Sequence, residues 1–294
     1  MVDGVLLLDK PVGPSSQRVL GHVKHLLGAK KAGHAGTLDP MASGLLPILF
    51  GEATKYAAQG LDADKTYLAE ICLGARTRTG DREGDVIEQA MVPALDRAQV
   101  ESVLVKFLGQ SLQVPPMYSA IKKDGRALYD YARSGEEVVR EPRSITIHAL
   151  ELTRFHLPVL EVRVVCSKGT YIRTLAEDIG AALGCPAHLQ SLRRTGVGPL
   201  QAPEIVPLES IEQADSQGRL RFLKPVDWLI RDWPEVVIDA AATERFFHGQ
   251  TIFCSGYAPL SQCRVRNESG EFLGTGRIDA AGLLHPSRVR SLHS

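Results

Sequence analysis

One carboxylate stands out for its setting. Asp39 lies in the stretch Gly33-His34-Ala35-Gly36-Thr37-Leu38-Asp39-Pro40-Met41-Ala42-Ser43-Gly44, which is punctuated by glycines and otherwise nearly uncharged. Gly33, Gly36 and Gly44 open backbone angles closed to other residues and let a ligand approach the main chain. Pro40 fixes its own φ and biases Asp39 away from the helical region. An acid held this way, ahead of Leu45 and Leu46, presents its oxygens outward while the apolar pair anchors the loop. Read alone, an Asp-Pro pair equally starts a turn or caps a helix. No Gly-Lys-Ser/Thr follows to make a phosphate loop.

The second chemical signal is cationic. Gly169 marks a sharp exit from a strand into a helix over 171–183, which puts Tyr171 and Arg173 in its first turn. A cation there opposes the helix dipole. Arg173 therefore calls for an acidic partner elsewhere, and Asp39 is the candidate; a plain surface arginine is the other reading. Lys30 and Lys31, Lys122, Lys123 and Arg126 among Tyr118, Tyr129 and Tyr131, and Arg193 with Arg194 form three basic clusters. Basic residues among aromatics fit recognition of a single strand or loop of RNA. Because Lys and Arg number 34 against 34 for Asp and Glu, such affinity must come from local patches rather than net charge.

The elements that position these groups follow from periodicity. Val5–Leu8 is an apolar strand, and Ser15 or Ser16 caps a helix with Val19, Leu20, Val23, Leu26 and Leu27 on one face, stopped by Gly28. A short helix is expected over 53–58. Thr66–Leu73 alternates, so Tyr67 faces the core or a cleft. Arg76, Arg78 and Arg82 fall in a loop, Asp96 caps a second amphipathic helix closed by Gly109, and Tyr118–Ile121 reads as a strand. Ile145–Leu152 and Leu160–Val165 read as a hairpin. The last sixty residues hold a short helix near 242–247 and short strands between glycines, the pattern of a small β-barrel. With 294 residues the chain has room for two domains, 1–233 and 234–294, joined near Pro234. Five scattered cysteines outside any Cys-x-x-Cys pattern point to reduced thiols and no zinc site. With no apolar run long enough to span a bilayer and no secretory leader, a cytoplasmic protein is expected.

The stretch around Asp39 resembles the catalytic motif of the pseudouridine synthases, in particular the bacterial TruB family acting on uridine-55 in the T loop of tRNA. Further matches run in the same order: Gly4–Ser16 (GVLLLDKPVGPSS), Asp64–Tyr67, Pro116–Lys122 (PMYSAIK) and Cys166–Arg173 (CSKGTYIR). The likeness is strong from Gly4 to Thr195, and the tail is similar to the PUA domain, an RNA-binding module. The resemblance implies an α+β fold, a mixed and largely antiparallel sheet flanked by helices, with a PUA-like C-terminal barrel. It implies an isomerase needing no cofactor. Asp39 is then the nucleophile, Arg173 its cationic partner and Tyr67 the aromatic that stacks on the base. Tyr171 and Leu192 line the pocket, His34 fills the space that the extruded uridine vacates, and Lys10 lies near the site. The partner is the T stem-loop, met by a monomer with no membrane and no obligatory protein partner. An RNA-binding or RNA-folding protein and a guide-dependent synthase of ribosomal RNA are the alternatives. A hydrolytic glycosidase is disfavoured because only one suitable acid is evident where that chemistry commonly uses two.

Overall fold

Uninterrupted apolar runs decide the centre of the molecule. The computed structural model describes residues 2–119 and 121–291. β1 (Gly4–Lys10) is buried along almost its whole length. A Pro/Gly turn leads to α1 (Ser16–Leu26), where Ser15 Oγ accepts from the Arg18 amide. β2 (Ala32–His34) and β3 (Ala42–Phe50) pair antiparallel and carry the Asp39 loop between them. A 3-10 turn, Gly51–Tyr56, passes into α2 (Ala57–Asp62), so the helix expected over 53–58 is split between two geometries. β4 (Lys65–Leu73) alternates as predicted, burying Tyr67, Ala69, Ile71 and Leu73.

The next segment departs from expectation. Residues 76–82 are not simply loop: β5 (Ala75–Thr77) and β6 (Val86–Gln89) form a hairpin. All four β6 residues are exposed, so no burial alternation announces the strand. α3 (Arg97–Leu104) opens on a capping box of Asp96 and Gln99, and β7 (Gly109–Gln113) follows. A small insert holds β8 (Lys122–Lys123), β9 (Arg126–Ala127) and α4 (Leu128–Arg133). The strand expected over 118–121 does not form at Tyr118 and Ser119, which lie in bends, and Ala120 is outside the described residues. Pro115 and Pro116 offer no N–H for a ladder there.

β10 (Arg143–His156) and β11 (Val159–Cys166) make the predicted hairpin. α5 (Ile172–Ala182) follows with Tyr171 at its N-cap, then β12 (Ala187–Val197), β13 (Leu200–Gln201), β14 (Val206–Pro207), α6 (Leu208–Gln213) and α7 (Ser216–Leu220). The sheet runs β14-β1-β3-β12-β4-β11-β10-β7, with β2 and β13 paired at its sides. Within it, among the described residues, β1/β14 and β3/β12 are the parallel pairs and the rest are antiparallel. The sheet is therefore mixed and largely antiparallel, with its main core beneath α1, α3 and α5.

β15 (Glu235–Ile238), α8 (Ala240–Phe247), β16 (Ile252–Phe253), β17 (Leu260–Asn267), β18 (Phe272–Ile278) and β19 (Leu283–Val289) build a second sheet, ordered β15-β17-β18-β19-β16, around its own core. It is joined firmly to the first part. Asp227, 2% exposed, accepts from Arg264 at 3.1 Å and Arg266 at 2.5 Å on β17. Tyr56 packs edge-on against Phe272, and the Ser291 amide donates to Glu52 at 2.9 Å.

Candidate active site

Three buried donors hold the Asp39 loop. Asp39 does begin a turn, with the Ala42 amide donating to its carbonyl at 3.1 Å. Ser16 Oγ donates to the Leu38 carbonyl at 2.9 Å and accepts from the Leu38 amide at 2.8 Å. Lys10 Nζ donates to the carbonyls of Pro11, Pro40 and Ala42 at 2.9, 3.3 and 2.7 Å. Arg194 spans the other side, with Nε on the Leu45 carbonyl at 2.8 Å, Nη1 on Thr37 at 3.3 Å and Nη2 on Gly36 at 2.9 Å. Side-chain donors on both sides thus fix the loop through its carbonyls.

Two of the three glycines earn their place. Gly44 has φ +97, and a β-carbon there would stand 2.3 Å from the Arg194 carbonyl oxygen, so the strand contact of β3 with β12 requires it. Gly36 has φ +118 beside the Arg194 guanidinium. Gly33 is not in the left-handed region and has open space around it, contrary to the expectation that all three serve special backbone angles.

The Asp39–Arg173 partnership expected from the helix dipole is present. Arg173 Nε lies 3.0 Å from Asp39 Oδ2. Its Nη1 donates to the Thr79 carbonyl at 2.9 Å and Nη2 to that of Tyr118 at 2.7 Å, so the guanidinium is oriented before any ligand arrives. Arg173 is 5% exposed at its side chain and Asp39 38%, which leaves the carboxylate open to the cleft. Desolvation raises the Asp39 pKa; Arg173 opposes that shift, Asp81 adds to it and Lys10 opposes it. Asp81 was not evident from sequence. It is buried, with its Oδ2 3.8 Å from Arg173 Nε, and its other oxygen accepts from Thr79 Oγ1 and the Glu83 amide. A second acid therefore sits behind the arginine, but it does not line the cleft.

The cleft encloses about 420 Å³, within the roughly 300–1,000 Å³ range of small-molecule sites. Asp39, Arg173, Tyr67, Tyr171 and Leu192 all line it, as do Lys65 and Arg194. β4 and β12 are neighbours, with Tyr67 opposite Arg194 in register, and both line the cleft. Burial raises the Tyr67 and Tyr171 hydroxyl pKa values, so both stay protonated. His34 lies in an adjoining recess that shares Thr37, Leu38, Asp39 and Ser119 with the main cleft. Its pKa is lowered, chiefly by burial and then by Arg194, which favours the neutral ring. Lys10 does not line the cleft: it is fully buried, with a pKa brought down by burial to about 8, and acts on the loop rather than on a ligand. Among the described residues, no group of three or more His, Cys, Asp or Glu could hold a metal ion.

Arg194 is the clearest correction. Sequence alone grouped it with Arg193 as a surface cationic spot, but it is 1% exposed while Arg193 pairs with Asp9 at 2.8 Å. Strand alternation carried the signal: Leu192 and Arg194 are two apart and share the cleft face.

The fold is that of the pseudouridine synthase class. The chain superposes with a TM-score of 0.74 on a crystal structure of a Cbf5-Nop10-Gar1 complex, at 25% identity over 98% of this chain and 85% of that one. An H/ACA RNP bound to a substrate RNA containing 2'-deoxyuridine matches in fold at 0.73, with 24% identity over 97% and 84%. The N-terminal domain of the TruB family pseudouridylate synthases matches residues 24–172, the tRNA pseudouridylate synthase B C-terminal domain 173–231, and the C-terminal domain of pseudouridine synthase II TruB 234–289. The tRNA pseudouridine synthase B of Burkholderia lata is 54% identical over 98% of this chain and 90% of the relative. That of Cupriavidus metallidurans is 50% identical over 99% and 95%. The chain belongs to the TruB family of pseudouridylate synthases and is an isomerase.

Proposed function

We propose that the protein converts uridine-55 in the T loop of tRNA to pseudouridine, with Asp39 as nucleophile. The observation that carries this reading is the Asp39–Arg173 pair, 3.0 Å apart at the wall of a cleft that also holds Tyr67. Relatives named tRNA pseudouridine synthase B support the choice of tRNA.

The reaction breaks the N1–C1′ bond and forms C5–C1′; C5 loses a proton and N1 gains one, so atoms balance without a redox partner. Asp39 must be ionised to act, and Arg173 favours that form without being able to give up its own proton. Tyr67 stacks on the base, an interaction worth about 1–3 kcal/mol, and Leu192 and Tyr171 complete the pocket. Extrusion of a stacked nucleotide costs a few kcal/mol. A neutral His34 in the adjoining recess offsets part of this by filling the vacated stack. Lys10 and Arg194 keep the nucleophile loop in place.

Residues 1–233 carry the chemistry and residues 234–294 a PUA-like RNA contact; the separate core and the break between matched domains at 231 and 234 support that division. The protein acts as a single chain in the cytoplasm, without guide RNA. Purified protein and a T stem-loop transcript labelled with tritium at uridine C5 test the whole reading. Wild type releases tritium unaided, and Asp39→Asn binds the transcript but releases none. Normal release by Asp39→Asn ends the nucleophile assignment, and dependence on added RNA ends the unguided one.

A further inference from the structure

The mouth of the cleft carries an ion pair for which the isomerisation has no use. Leu61 lines the cleft from one lip, and Gly169 and Thr170 line it from the other. Their neighbours meet across the opening: Lys168 Nζ lies 2.8 Å from Asp62 Oδ1, with side chains 62% and 63% exposed. The first lip is fixed from beneath, because buried Lys65 donates to the carbonyls of Leu61 and Ala63 at 2.6 Å each. The second is a tight turn, with Gly169 at φ +79 and Thr170 Oγ1 donating to the Ser167 carbonyl at 2.9 Å. Asp64 is engaged separately by His148 at 3.2 Å.

The cations inside the cleft are already committed. Arg173 and Arg194 bind carbonyls and Lys65 holds the lip. Lys168 instead holds an exposed carboxylate, and an exposed pair of this kind is weak, screened by salt and readily exchanged. A nucleotide whose base fills the cleft must leave its phosphates at the opening. A phosphate oxygen offers an ammonium the same kind of acceptor as a carboxylate oxygen.

We propose that Lys168 receives a backbone phosphate of the extruded nucleotide and that Asp62 is the anion occupying it in the free protein. The inference rests on the reading of the cleft as a base-accepting site. Exchange conserves the charge contact at Lys168 and releases the exposed Asp62 carboxylate to solvent, where water and salt screen it. Asp62 thus sets how tightly substrate is held, acting through Lys168 alone.

Lys168→Met, Asp62→Asn and the double variant, each as the full chain, test this with the T stem-loop transcript in steady-state tritium release and in equilibrium binding over a salt series. Lys168→Met raises KM and Kd by about two- to fivefold, leaves kcat in place, and flattens the slope of log K against log salt by about 0.7–0.9. Asp62→Asn lowers KM and Kd by up to about fivefold. The double variant matches Lys168→Met. An unchanged salt slope in Lys168→Met overturns the phosphate contact. Tighter binding by Asp62→Asn that persists when Lys168→Met is also present overturns the exchange, since Asp62 would then act by general repulsion. If wild type binds the transcript but releases no tritium, the functional reading fails separately, while the salt slopes still decide the role of Lys168.

Discussion

Arg173 serves two ends that substitution can separate: it supplies charge and it supplies a fixed hydrogen-bonding fork. Its guanidinium makes an ion pair with Asp39 through Nε, at 3.0 Å, and donates to two carbonyls through its terminal nitrogens. Lysine keeps the charge but cannot meet three acceptors at those directions. Losing one charge-assisted hydrogen bond costs about 1.5–3 kcal/mol, which corresponds to roughly 10- to 150-fold in kcat/KM. Arg173→Lys is expected to lose that much while the acid limb of the pH profile stays where it is in wild type. Arg173→Met removes the charge as well. Burial and Asp81 then act on the Asp39 carboxyl with Lys10 as the remaining opposing cation, so its pKa climbs further and the acid limb moves toward neutrality. The direction follows because a carboxylate nucleophile is lost as pH falls through its pKa. The assay is kcat/KM for pseudouridine formation across the acid range, with thermal melts to establish that each variant folds. An Arg173→Met profile whose acid limb coincides with that of wild type would refute the electrostatic part of the reasoning.

Two further expectations concern stability. The Asp39 pKa is raised in the fold, so between its ordinary and raised values the native chain binds more protons than the unfolded one, and stability falls as pH rises through that window. Asp39→Asn removes this penalty; its melting temperature at neutral pH should equal or exceed that of wild type, and a drop of several degrees would contradict it. Gly44→Ala forces a residue at φ +97 against the Arg194 backbone; a loss of about 3 kcal/mol is expected, read from the urea midpoint.

Much of the site was legible before the fold was known, for reasons that differ residue by residue. The pairing of Asp39 with Arg173 followed from an energetic complaint, a cation in the first turn of α5, and residues 134 positions apart proved to be neighbours. Tyr67 followed from period-two burial in β4. Asp81 could not be found that way, because it lies in a connection whose flanking strands β5 and β6 are short and largely exposed. Arg194 was misjudged because two adjacent arginines look alike in one dimension. Only the parallel contact of β3 with β12, between segments some 150 residues apart, turns one of them inward beneath the loop. Lys10 was expected at the substrate, and its place behind the loop, held by three carbonyls, is invisible in a string of letters.

The junction at Asp227 has a mechanical corollary. A carboxylate gripped by two arginines of β17 and shut away from water gives the small sheet no swivel, since breaking a buried pair of this sort costs about 3–5 kcal/mol. An RNA lying across both sheets therefore meets a gauge of set span, and the bending needed for a fit falls on the nucleic acid.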